Sequence, residues 1–137
     1  MEFDIQQKPL TTEQMRFIAE EFARLDMEIF HTRNTIKQCT FVIENPDYIG
    51  SLKARLSWGN FHIFELFVRK EIRRKGIGAA LIKHAVSVAR KDKAQFISIK
   101  TSYIAAKCFY EKLGFQLHNT MQGYASGLVF WTFVLKL

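Results

Sequence analysis

Apolar residues recur along this chain in two rhythms, and the switches between them mark out the elements. Residues 2–6 alternate and predict a short strand. The spacing of Met15, Ile18, Phe22, Leu25 and Ile29 is that of one helical face, opened by Thr11 or Thr12 as capping residue. It predicts one long first helix, with Asp26 the place for any break. Residues 40–44, 49–58 and 61–68 return to strand patterning. The turn signals Asn45-Pro46-Asp47 and Gly59-Asn60 divide them, so they predict an antiparallel meander.

Strict alternation in the third strand sends Phe61, Ile63, Glu65 and Phe67 to one face and His62, Phe64, Leu66 and Val68 to the other. Both faces read as covered. One titratable residue interrupts each, Glu65 on the first and His62 on the second, and such a side chain in a buried strand needs a partner or a task.

Further on, Ile77, Leu81, Ala85 and Val88 predict a helix that ends in the polar stretch 90–93. Residues 95–100 read as a strand. Residues 103–113 read as a helix with Ala106, Phe109 and Leu113 on one face, stopped by Gly114. Residues 115–118 and 128–137 complete a sheet, with Gly123 and Gly127 between them. No internal repeat, low-complexity tract or linker interrupts the series, and 137 residues at 48% hydrophobic content suit a single domain over residues 1–137.

Composition narrows the chemistry. Thirteen Phe, four Tyr and two Trp are expected mostly in the core. A net charge of +7 calls for an anionic partner: nucleic acid, a membrane surface or a polyphosphate. Cys39 and Cys108 are spaced neither as a metal pair nor as a disulfide framework, so no metal is expected and both read as reduced thiols of a cytoplasmic protein. The acidic start lacks a secretory pattern, and no apolar run reaches membrane-spanning length, so no membrane partner is expected.

Between a buried strand and a helix lies Arg73-Arg74-Lys75-Gly76-Ile77-Gly78, followed by Ala79. Glycines there let backbone N–H groups approach an anion, and the helix dipole adds a favourable field. With Arg69 and Lys70, the cations suit a pyrophosphate and one further phosphate. The loop is neither a Walker A loop, since no Lys-Ser or Lys-Thr follows, nor a dinucleotide fingerprint, since the third glycine is absent. A tight turn with a solvated basic face is the plain alternative.

A second block, Ala106-x-x-Phe109-Tyr110-Glu111-Lys112-Leu113-Gly114-Phe115, lies downstream. Together with Leu66-Phe67-Val68 and the Arg-x-x-Gly-x-Gly loop, it resembles the signature of the GNAT family of N-acetyltransferases, from about Phe61 to Phe115. The resemblance implies an α+β fold with a mixed, mostly antiparallel central sheet flanked by helices, and acetyl-CoA as co-substrate. It implies backbone contacts from Leu66, Phe67 and Val68 to the pantetheine arm, the pyrophosphate on residues 73–78, and Tyr110 as general acid for the leaving thiolate. Where the family often has Asn to fix the pantetheine, this chain has Tyr103, with Ser102 beside it.

An amine nucleophile must lose a proton before it attacks, so a base or a water chain is required. The two positions at which family members carry a glutamate fall on His62 and Ser98. Neither is a carboxylate. His62 is the candidate base because its ordinary pKa lies near neutrality, and Glu65, placed by alternation on the opposite face, is the reserve. The reaction expected is direct attack in a ternary complex, since Cys108 has no His at a recognisable spacing. The acceptor expected is a small-molecule or peptide amine, with a small amine, an aminoglycoside, a peptide N-terminus and a protein lysine all open. Two other readings remain: a CoA-binding regulatory module without catalysis, and a basic nucleic-acid-binding domain using residues 69–75 and 90–93. The apolar last strand suits a homodimer if it lies at a sheet edge.

Overall fold

The computed structural model describes residues Met1–Leu137, which form two compact units, Met1–Asn34 and Thr35–Leu137. The first holds helix α1 (Thr12–Phe30). Thr11 caps it reciprocally: its hydroxyl accepts from the Gln14 N–H at 3.1 Å, and its own N–H donates to the Gln14 side chain at 2.9 Å. Asp26 does not break the helix, which continues to Phe30 and ends at His31 in the left-handed region. An interior aspartate costs only roughly 0.7 kcal/mol of propensity, too little to stop a helix alone. Residues 2–6 form no strand. Their alternation finds no neighbouring strand, and all six strands of the sheet come from the second unit.

That unit runs β1 (Lys37–Glu44), β2 (Tyr48–Ser57), β3 (Asn60–Val68), α2 (Ile77–Lys91), β4 (Phe96–Thr101), α3 (Ile104–Lys112), β5 (Gln116–Met121) and β6 (Phe130–Lys136). The strands form one sheet in the order β1-β2-β3-β4-β6-β5, antiparallel except between β3 and β4. The expected mixed, mostly antiparallel sheet is therefore present. β6 is interior, because its apolar run places Phe133 fully buried between two partners. The last strand is thus not the edge that the dimer reading required. One face of the sheet buries Leu52, Ala54, Leu56, Phe61, Ile63, Ile97, Ile99 and Phe133 with Leu81, Ile82, Ala85 and Ala89 of α2 and Tyr110 of α3. No helix is long and apolar enough to cross a membrane.

β3 departs from simple alternation. Glu65 pairs with Lys53, but Ile63 pairs with the next residue, Ala54, so Phe64 is an extra residue on β3. This bulge moves everything after it to the opposite face. Leu66 and Val68 join Phe61 and Ile63 on the core side, while Glu65 and Phe67 fall on the same face as His62. Two expectations are thereby corrected. Glu65 is not opposite His62, and β3 is not covered on both faces, since Phe64 and Phe67 are 55% and 43% exposed.

Candidate active site

The bulge also shapes the strand's other edge. The parallel seam between β3 and β4 runs from Asn60↔Phe96 to Ile63↔Ile99 and stops there. Beyond it, β3 stays paired with β2 up to Val68, and Lys100 and Thr101 pair with β6. The two strands part above Ile63, because a bulge bends and twists the strand that carries it. Leu66, Phe67 and Val68 line the resulting slot with one backbone edge free of any strand partner.

At the end of β3 a 3₁₀ turn, Lys70–Ile72, leads into the glycine loop. Arg73 folds back on the strand: its Nε donates to the Val68 carbonyl at 2.8 Å, and its guanidinium lies 5.7 Å from the Phe67 ring centre. Arg74 and Gly76 both take left-handed φ values, 65° and 79°. The first α2 bond runs from the Ala80 N–H to the Gly76 carbonyl at 3.0 Å, and Gly76 has no side chain to cap with. The N–H groups of Ile77, Gly78 and Ala79 are thus left without acceptors in the helix, at the positive end of its dipole. A Cβ on Gly78 would stand 3.3 Å from Phe109 Cζ, so the first turn of α2 packs closely on α3. With Arg74 and Lys75 exposed beside it, this turn fits a pyrophosphate. An open hollow of about 500 Å³ adjoins it, lined by Ala79, Lys83, Val86 and Arg90 of α2 with Leu113 and Leu135.

Tyr110 is only 6% exposed, with its ring centre 5.4 Å from Phe109, 5.8 Å from Phe115 and 6.2 Å from Phe133. Burial pushes its phenol up to about 12. Phe133 pairs with Ile99, the last residue of the seam, which puts Tyr110 beside the mouth of the slot on the core face. Tyr103 is the N-cap of α3 and 75% exposed, with its N–H bonded to Thr101 Oγ1 at 3.1 Å.

On the other face, one residue below the mouth, His62 pairs with Ser98 in the parallel register. Its Nδ1 lies 2.8 Å from Ser98 Oγ, and that hydroxyl donates to Asn60 Oδ1 at 2.7 Å. The two positions reached separately from the sequence are therefore hydrogen-bonded to each other. Lys100 follows on the same face, with Nζ 2.9 Å from the Tyr124 hydroxyl and about 5 Å from the Tyr124 and Phe130 ring centres. Burial lowers the His62 pKa from its usual value, the Lys100 charge lowers it further, and the interaction with Ser98 opposes them. The net effect favours the neutral ring. Glu65 meets Lys53 at 3.8 Å in an exposed pair, a weak contact in high dielectric.

Asn60 and Lys100 are parts of this site that the sequence reading did not single out. Asn60 reads as a turn residue and Lys100 as a strand end. Only the register of β3 against β4 sets Ser98 between Asn60 and His62, with Lys100 beyond it.

The sequence profile of the acetyltransferase (GNAT) domain matches residues 7–137. The chain belongs to the GNAT family. Among its GNAT relatives, an uncharacterized N-acetyltransferase of Methanocaldococcus jannaschii is 30% identical over 91 residues, 63% of this chain and 58% of the relative. The chain thus spans little more than half the length of that curated relative. A crystal structure of a protein designated an acetyltransferase from Agrobacterium tumefaciens superposes with a TM-score of 0.81 at 22% identity, covering 100% of both chains, and shows the GNAT fold. A protein designated a streptothricin acetyltransferase from Bacillus anthracis, in complex with acetyl coenzyme A, is 26% identical with a TM-score of 0.68, over 73% of this chain and 62% of that one.

Proposed function

We propose that this GNAT chain, acting as a single domain over residues 1–137, transfers an acetyl group from acetyl-CoA to a primary amine by direct attack. The observation that carries the reading is the end of the β3–β4 seam at Ile63↔Ile99, which opens a slot between the cationic first turn of α2, Tyr110 and His62. A pyrophosphate on the amides of Ile77, Gly78 and Ala79 would direct an extended arm along Leu66, Phe67 and Val68, whose edge has no strand partner and, apart from the Val68 carbonyl held by Arg73, is open to the hydrogen bonds of one more strand. The complex of the Bacillus anthracis relative with acetyl coenzyme A supports the choice of ligand.

His62, neutral at working pH, takes the proton that the amine nitrogen loses as it bonds to the acetyl carbon. Tyr110 supplies the proton to the sulfur as the carbon–sulfur bond breaks, so protons balance without an acyl-enzyme. Tyr110 stands on one face of the sheet and His62 on the other, so donor and acceptor need not enter by the same route. Tyr103, exposed at the start of α3, takes part at the pantetheine end through its backbone or ring. The acceptor is a small-molecule or peptide amine, and the free thiols of Cys39 and Cys108 suit the cytoplasm.

The test is calorimetric titration of acetyl-CoA into the wild type and Gly76→Glu. Micromolar binding that the variant loses while staying folded supports the reading. A folded wild type that binds no acetyl-CoA overturns it.

A further inference from the structure

The polar chain Asn60–Ser98–His62 crosses the parallel seam between residues 36 and 38 apart in sequence, with contacts of 2.8 and 2.7 Å. Its hydrogens can be assigned. Asn60 Oδ1 only accepts, so the single hydrogen of the Ser98 hydroxyl is committed to it. The remaining contact of Ser98 Oγ, to His62 Nδ1, is then filled by a hydrogen from the imidazole. A neutral imidazole has one N–H, so Nε2 is left with its lone pair bare. Ser98 is 5% exposed, which shields this arrangement from exchange with water.

We propose that Asn60 and Ser98 are positioning residues that hold His62 in its Nδ1–H tautomer and so make Nε2 the basic atom of the site. The proposal rests on the transferase reading for its purpose, but the tautomer is a property of the resting protein. Burial and the charge of Lys100, beyond Ser98 on β4, favour the neutral form in which the tautomer matters; the other charged groups near the ring are Arg55, which pairs with His62 from β2, and the Lys53–Glu65 pair further along β3. Loss of the Asn60 acceptor frees the Ser98 hydrogen to point at Nδ1. The imidazole then carries its hydrogen on Nε2, where no base remains.

The experiment is long-range ¹H–¹⁵N correlation NMR of the resting wild-type protein above the His62 pKa, with the ring assigned among the four histidines by the signals lost in His62→Gln. A pyrrole-type Nδ1 with a pyridine-type Nε2 is expected. The reverse pattern in the wild type, which needs no variant to fold, overturns the proposal. Asn60→Ala is expected to reverse the tautomer and lower kcat about tenfold, a share of the roughly 10²–10⁴-fold that a positioned base supplies, with acetyl-CoA affinity unchanged. Asn60→Asp keeps the acceptor, so it should restore the Nδ1–H form and raise the His62 pKa. A tautomer indifferent to both Asn60 variants also overturns the proposal. A protein that shows the Nδ1–H form yet binds no acetyl-CoA loses the transferase reading while the tautomer control stands.

Discussion

Replacing Tyr110 by Phe isolates one buried hydroxyl and can be worked through in free energy. Its pKa is about 12 in the folded protein, against ~10 in an unfolded chain. A raised folded pKa means that this stabilising contribution is complete below pH ~10 and is lost as pH climbs toward ~12. Two units amount to roughly 3 kcal/mol over the whole window, of which about 1.4 kcal/mol is lost by pH ~11. Phenylalanine does not ionise, and the remaining tyrosines and lysines titrate alike in both proteins. Urea unfolding of wild type and Tyr110→Phe from pH ~8 to ~11 should therefore show the stability difference moving toward the variant by about 1.4 kcal/mol. A difference that stays flat would refute the buried, neutral phenol. In the proposed reaction the same proton goes to the leaving sulfur. Full transfer to a thiolate whose acid has a pKa of ~8.5 is uphill by about 5 kcal/mol, so on that proposal the proton follows the breaking carbon–sulfur bond rather than leading it. We expect Tyr110→Phe to lower kcat about 10²-fold with little change in acetyl-CoA affinity.

Three further outcomes follow from the site. If His62 is the base, as proposed, it acts only when neutral, so kcat/KM should rise with pH through its lowered pKa, and Lys100→Gln, which removes one lowering charge, should move that acidic limb to higher pH; a limb that stays in place counts against His62 as the base. Gly50→Ala puts a Cβ 2.7 Å from the Phe67 carbonyl oxygen and 3.3 Å from Val68 Cα, both backbone atoms that yield poorly. It should cost about 1–3 kcal/mol in denaturant unfolding and weaken acetyl-CoA binding by displacing the wall of the slot; wild-type stability would argue against that close approach. Gly76→Ala meets no atom within 4 Å but keeps φ at +79°. It should lose only about 1 kcal/mol by thermal unfolding and retain cofactor binding, in contrast to Gly76→Glu.

Much of this was legible in the residues. The spacing of Met15, Ile18, Phe22, Leu25 and Ile29 predicts α1, and Leu81 and Ala85 predict the buried face of α2, because a helix needs only local periodicity to declare itself. The glycine loop was equally plain, since left-handed backbone at Gly76 is written in residue type. β1 begins earlier than its apolar residues suggest, at Lys37, because an edge strand tolerates polar positions. The bulge at Phe64 had no glycine or proline to announce it, and one unannounced residue was enough to put Glu65 on the wrong face. The contact between His62 and Ser98 is non-local, and no local pattern encodes which residue of β4 meets which residue of β3.

The brevity of the β3–β4 seam has a consequence for how the chain assembles. β1, β2 and β3 join through short turns, whereas the seam must close a loop of about 36 residues to gain four residue pairs. Contacts of that separation form slowly, because the entropy of closure precedes the gain. We expect the seam to close later than the β1–β2 and β2–β3 junctions during folding and to open earlier under denaturant, as read by residue-resolved hydrogen exchange. His62 and Ser98 meet only across it, so on the proposed roles a chain with the seam still open would be silent rather than badly behaved.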